Sequence, residues 1–242
     1  EPDGIAHEAY MLLVGHGFNK PDEKKAIEMF EYSTHPTQVL DPNAGINNES
    51  TLGCAYYYYL TAKKEKKNAV DILTDLSYVR KDMYAREKLG SMYIDAIGVK
   101  PDIEKGVSLY KLSAAQGNRE SLYRLGMMYL LGQNNLEVNE QQAALCFKKS
   151  AKLGNMDAHA KYSNCLLNGI GVPCKNEKKA FKHARISAEN GNPLGMAYYG
   201  SMLYYGKGCQ PDYEAAKPFI IQSSNNDVPE AIDILGLMYL NG

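Results

Sequence analysis

The stretch Ala85-Arg86-Glu87-Lys88-Leu89-Gly90-Ser91-Met92-Tyr93 contains a pair that recurs down the chain. The series is Leu52-Gly53, Leu89-Gly90, Leu125-Gly126, Tyr162-Ser163, Tyr199-Gly200 and Leu235-Gly236, and its second members step by 37, 36, 37, 37 and 36 residues. A fixed period of this size marks a solenoid, whose units cannot bury an apolar face alone and do so by stacking.

Two further series share the period. Asp102, Asn139, Asn176 and Asp212 step by 37, 37 and 36, each just before an amphipathic run such as Asn176 to Ala188. Asp and Asn side chains accept hydrogen bonds from the free N–H groups of a first helical turn, so these are N-caps. Asn139 with Gln142 resembles a capping box, and Asp22 holds the same position in an earlier unit. Gly117, Gly154 and Gly191 step by 37 and 37 and close helices. The asparagine after each of them caps the next helix, and Pro193 after Asn192 suits a first turn. Each unit therefore holds a short apolar helix A, as at Ser121 to Leu131, a Gly-containing turn and an amphipathic helix B. The Leu-Gly pair lets a neighbouring helix approach closely, while Tyr93, Tyr129, Leu166, Leu203 and Tyr239 fill the surrounding space.

The pattern Ala85-x-x-x-Leu89-Gly90-x-x-Tyr93 … Gly98-Val99-x-x-Asp102-x-x-Lys105-Gly106-x-x-x-Tyr110-x-x-x-Ala114-Ala115-x-Gly117 resembles the Sel-one-like repeat, a relative of the tetratricopeptide repeat. The match recurs at Ala144 to Gly154 and Ala180 to Gly191 and extends over nearly the whole chain. Departures are Asn134 for a loop glycine, Tyr162-Ser163 for Leu-Gly, Ala9 at the first glycine position and the run Lys63 to Lys67 in place of the second unit's Gly-x-Gly turn. That run reads as a solvated loop. Pro218 inside the last helix B is expected to kink or shorten it.

The expected fold is all-α, a right-handed α/α superhelix of 36–37-residue helix-turn-helix repeats. Residues 1–242 form a single array of six full repeats plus helix A of a seventh, about thirteen helices in all, with an insertion loop at about 34–48. The chain starts without Met and stops after a helix A, so both ends read as cuts in a longer protein.

The resemblance implies a scaffold that holds other proteins together. Family members resemble adaptors in endoplasmic-reticulum degradation, regulators of enzymes at membranes and bacterial host-interaction factors. A cysteine-rich bacterial branch pairs disulfides in each unit, and the five scattered cysteines here (Cys54, Cys146, Cys165, Cys174 and Cys209) lack that pattern. In the related tetratricopeptide geometry helix A lines a concave face, with free positions at −3, +1, +4 and +5 from its glycine. Tyr57, Tyr58, Tyr123, Met127, Leu130, Tyr204 and Tyr205 are among the large residues that fall there, and they are the expected partner-binding set. The expected partner is a protein or peptide, with self-association a second mode.

Other chemistry finds little footing. With 27 basic and 28 acidic residues the chain lacks the basic excess of a nucleic-acid binder. No apolar run reaches the ~18 residues of a membrane span. His7, His16, His35, His159 and His183 form no metal motif, and each Gly-x-Gly lies between helices rather than after a strand. The reading is therefore non-enzymatic, without cofactor, metal or catalytic residues. A regulatory or targeting segment of a larger enzyme or membrane-associated complex is the alternative. Unpaired cysteines favour the cytoplasm, with the endoplasmic-reticulum lumen the other setting, where Asn48-Glu49-Ser50 would be a glycosylation sequon.

Overall fold

The computed structural model describes residues 66–79 and 81–241. Among them the secondary structure is helix and turn, with no strand. The chain separates into two compact units, Glu1–Gln116 and Gly117–Gly242. The described part of the first holds α1 (Lys66–Tyr78), α2 (Met83–Ile94) and α3 (Ile103–Ala115). The second holds α4 (Arg119–Leu131), α5 (Glu140–Lys152), α6 (Met156–Asn168), α7 (Glu177–Glu189), α8 (Pro193–Tyr205), α9 (Tyr213–Ser224) and α10 (Pro229–Asn241). Even-numbered helices are of type A and odd-numbered ones of type B. The insertion at 34–48, Cys54, Tyr57 and Tyr58 lie outside the described residues. Lys66 and Lys67, expected in a loop, instead open α1; lysine is a good helix former and does not resist this.

The caps act as their residue types require. Asn118, Asn155 and Asn192 accept from the backbone N–H of Ser121, Ala158 and Gly195 at 2.8 Å. Asp102, Asn139, Asn176 and Asp212 do the same for Lys105, Gln142, Lys179 and Ala215 at 2.9–3.0 Å. Asp82 is a further cap, to Ala85 at 2.7 Å. The loop register differs by one residue from the sequence reading. Asn134 and Asn135 both take positive φ, and Asn135, not Asn134, stands in step with Gly98, Gly171 and Gly208. Asparagine is the residue after glycine that best tolerates this region. Helix α9 runs through Pro218 and is one residue shorter than α3, α5 and α7.

Gly90, Gly126 and Gly200 of the Leu-Gly series sit at close contacts with helix B of their own repeat. A Cβ on Gly90 would lie 3.1 Å from the Gly106 carbonyl, and one on Gly200 3.3 Å from that of Ala216. Their counterparts on helix B are therefore small too: Gly106, Ala143, Ala180 and Ala216 step by 37, 37 and 36. Ser163 replaces glycine and exploits the same proximity. Its buried hydroxyl donates to the Ala180 carbonyl at 2.8 Å.

A fourth series closes the four repeats whose two helices are both described. Ser113, Ser150, Ser187 and Ser223, fully buried near the ends of the B helices, donate to the carbonyls of Met83, Arg119, Met156 and Pro193 at 2.6–2.7 Å. Each acceptor is the first residue of its repeat's helix A, and each buried hydroxyl is thereby satisfied. In the first unit Arg86 adds a second tie, donating to the Ser77 carbonyl at 2.9 Å and to Gln116 at 2.7 Å.

Two apolar clusters follow. The first gathers Leu73, Leu76, Ala85, Leu89, Met92 and Leu109. The second runs through α5 to α8 with Ala143, Ala144, Phe147, Tyr162, Cys165, Leu166, Ala180, Ala184 and Met202. Of the expected space-fillers, Leu166 and Leu203 are buried, but Tyr239 is 75% exposed. Its helix has no described helix B to pack against.

Candidate functional site

The expected partner-binding residues of the second unit lie on its A helices and differ in burial. Tyr123, Met127 and Leu130 on α4 are half-buried and pack against the second cluster. The Tyr123 ring stands 6.0 Å from that of Phe147. Burial, helped by Asp157 and Glu120, pushes the Tyr123 phenol up to about 12. The Tyr198 phenol on α8 reaches the same value through burial, with Glu230, Cys165 and Tyr123 adding to it. Tyr123 and Tyr198 therefore share one environment on the A-helix side, with carboxylates around it. Tyr198 was not singled out from sequence because it sits at offset −2 from Gly200, between the free positions.

Tyr204 meets Tyr205 and Tyr213 edge-on at 5.0 and 5.2 Å. Tyr205 is 48% exposed, with the Lys207 ammonium 5.5 Å above its ring. In the first unit the free-position rule fails at −3 and +1 of α2, where Glu87 and Ser91 are buried, and holds at +4 and +5, where Ile94 is half-buried and Asp95 exposed. Neighbouring A helices are also tied at their starts: the Asn192 amide donates to Asp157 at 2.8 Å, and that of Asn155 to Glu120 at 3.4 Å.

A cleft of about 480 Å³ lies between Tyr204, Tyr213, Glu214, Lys217, Leu235, Met238 and Tyr239. Its register explains it. A Cβ on Gly171 would run into the Glu140 carbonyl, and one on Gly208 into that of Glu177. These two A–B loops thus sit on the first residue of the preceding helix B, and the residue at the next step of that series is Tyr213. The cleft occupies the place of a loop seat in the repeat rather than that of a ligand pocket.

The histidines of the fifth repeat meet. His159 on α6 and His183 on α7 place their Nδ1 atoms 3.0 Å apart, so one donates and the other accepts. Tyr162 touches the His183 ring edge-on at 5.0 Å. Burial, then the neighbouring His159 and Lys182, press His183 down from 6.5 to about 4. Burial also lowers His159, against a hydrogen bond to the backbone of Ala151. Both imidazoles are held neutral, whereas the unfolded chain takes up protons near 6.5. Stability is therefore full above about pH 6.5 and falls as pH drops towards 4. The expected loss is roughly 1–2 kcal/mol after solvent screening. Urea unfolding at pH 7 and 4.5 checks this: His183→Gln should flatten the difference relative to the parent.

Among the described residues no group of three or more His, Cys, Asp or Glu could hold a metal ion, and no helix is long and apolar enough to cross a membrane. The described cysteines, Cys146, Cys165, Cys174 and Cys209, are free thiols.

Comparison with known proteins agrees with the repeat reading. The chain matches the Sel1 repeat over residues 5–33, 84–118, 119–155, 157–192 and 193–217. It is 30% identical over 157 residues to an uncharacterized protein of Neisseria meningitidis, covering 52% of this chain and 33% of that one. It is 30% identical over 89 residues to chitin synthase regulatory factor 2 of Schizosaccharomyces pombe, covering 37% and 17%. The chain thus spans a third or less of the length of these relatives.

Among solved structures, a Sel1 repeat protein from Oxalobacter formigenes aligns with a TM-score of 0.71 at 22% identity, covering 97% of this chain and 89% of that one. The protective antigen c5321 of uropathogenic Escherichia coli, which displays an SLR fold, aligns with a TM-score of 0.63 at 21% identity, covering 96% and 47%. Both likenesses show the fold, an α/α repeat solenoid. Sel1 repeats typically serve as protein-interaction modules. The period, the capped helix pairs and the matched segments lead to one assignment: the chain belongs to the Sel1 repeat family.

Proposed function

We propose that the chain is one array of six full repeats plus helix A of a seventh. It works as a non-catalytic scaffold that docks a segment of another protein along its A-helix face. The observation that carries this reading is the run of large half-exposed side chains on α4 and α8: Tyr123, Met127, Leu130, Tyr204 and Tyr205. Tyrosine and methionine at partly exposed positions are typical interface anchors, because they bring large contact area with few torsions to freeze. Tyr57 and Tyr58 extend the same register to the second repeat.

Affinity capture with the purified chain supplies the partner, and Tyr123→Ala and Tyr204→Ala are then compared with the parent. Each should weaken binding about thirtyfold, the ~2 kcal/mol of a truncated aromatic anchor. Equal melting temperatures and helical spectra separate lost contact from lost fold. Two folded variants that bind like the parent would move the site off the A helices. A second copy of the chain is the competing occupant, and sedimentation at two concentrations separates it from a heterologous partner.

A second reading, a regulatory segment of a larger protein, is favoured by the match to the yeast regulatory factor. Removing the array from the full-length protein should then change an activity housed elsewhere in it.

A further inference from the structure

The charge of the second unit is unevenly spread over its B helices. The chain as a whole is at −1, yet α5 and α7 together carry seven basic residues against three acidic ones. The next helix of the same type, α9, carries one of each. All seven basic residues are exposed.

Their spacing collects six of them. Leu145, Lys148, Lys149 and Lys152 fall at i, i+3, i+4 and i+7 on α5, a single face of a 3.6-residue helix. Lys178, Lys182 and Arg185 fall at i, i+4 and i+7 on α7. The opposite faces are the buried ones, Ala143, Ala144 and Phe147 on α5 and Ala180 and Ala184 on α7, and all five belong to one apolar cluster. The repeat step of 37 residues places Arg185 at the register of Lys148 and Lys182 at that of Leu145. The two stripes therefore hold the same register in successive repeats, turned away from the cluster that the A helices share.

The carboxylates do little to cancel them. Glu140 and Glu177 occupy the first turns of their helices, where they oppose the positive helix end. Glu189 reaches Arg185 at only 3.7 Å, with both side chains largely solvated.

We propose that the outer face of α5 and α7 is a docking surface for a membrane rich in anionic phospholipid. Three features favour a lipid surface over a nucleic acid or an acidic polypeptide. Six of the seven cations are lysines, point charges that attract phosphate without the bidentate geometry of base or carboxylate recognition. No exposed aromatic residue lies on either helix for a base to stack on. Two leucines stand exposed among the lysines, Leu145 at 43% and Leu153 at 45%. Apolar side chains beside a cluster of lysines suit a headgroup layer, where the cations meet phosphate and the leucines reach the acyl boundary. The chain would then lie on the membrane by its B helices and leave the A-helix face open.

The test is co-sedimentation of the purified full chain with vesicles of phosphatidylcholine alone and with 30% phosphatidylserine (a composition of about this order is enough for polybasic binding). Binding is expected to the anionic vesicles only and to fall steeply as sodium chloride rises from about 50 to about 500 mM. The variant carrying Lys148→Gln, Lys149→Gln, Lys182→Gln and Arg185→Gln should keep its melting temperature. Its partitioning should drop by about 100-fold or more, since each basic residue near the surface contributes about fivefold. Leu145→Ser with Leu153→Ser should lower the fraction that resists salt. The proposal is overturned if the parent ignores anionic vesicles, or if the folded four-fold variant binds them as the parent does. Tighter binding to a single-stranded oligonucleotide or to polyglutamate than to the vesicles overturns it as well, and would assign the patch to an acidic polymer. Failure here leaves the A-helix proposal standing, because Tyr123→Ala and Tyr204→Ala do not touch this face.

Discussion

Phe147→Ala is expected to cost about 3–5 kcal/mol of folding stability, the usual loss for truncating a buried phenylalanine. Phe147 is fully buried in the second cluster, between Gly126 and the Tyr123 ring of α4 on one side and its own helix on the other. The cavity left behind has little means of collapsing. The two helices are fixed at their ends by the Ser150 bond to the Arg119 carbonyl and by the Asn139 N–H bond to the Tyr129 carbonyl. Transfer and cavity contributions therefore add. Urea unfolding followed by circular dichroism gives the number, and a loss below about 1 kcal/mol would show that α4 and α5 can close over the gap.

Gly126→Leu is expected to destabilise by roughly 1–3 kcal/mol through the opposite fault, overpacking. A Cβ at position 126 would lie 2.7 Å from Phe147 Cε1. The ring is enclosed and cannot swing away, so either the helices part or both side chains leave their rotamers. Gly236 provides the internal control. It holds the same place in the series on α10, and a Cβ there meets nothing within 4 Å. Gly236→Ala should therefore be neutral or slightly stabilising, as alanine is the better helix former. Combining Gly126→Leu with Phe147→Ala should cost less than the two losses added together, because the leucine enters the space the ring leaves. Strict additivity would mean that the two positions do not face each other.

The period, the caps and the helix pairs were legible because each rests on local chemistry. An Asn before a first turn or a Gly after a last one has the same local effect wherever the chain goes. The small residues opposite the glycines were also in the sequence, stepping in time with them, but alanine on a helix carries no signal until its neighbour is known. Ser163 looked like a departure; only the 2.8 Å bond to Ala180 shows that it replaces a backbone contact with a hydrogen bond. The closing serines had the period and were missed because a serine inside a helix reads as weak helix former rather than as a donor to another helix. His159 and His183 are 24 residues apart, and nothing local predicts that their rings meet. The proposed site was legible only as a register. Position along a helix says which side a tyrosine is on, not how deeply its neighbours enclose it. Tyr205 thus lies half open while Tyr123 sits against the core, and Tyr198 joined the group unannounced.

The four serine-to-carbonyl bonds have a consequence for how such a chain changes length over evolutionary time. Each bond joins the start and end of one repeat and never reaches into the next. Duplicating or deleting a whole period leaves every donor opposite an acceptor. Losing a single residue from one helix B turns the hydroxyl about 100° round the helix and strands it in apolar surroundings. Growth and shrinkage by complete units thus strand no buried hydroxyl, whereas slippage by one residue strands one.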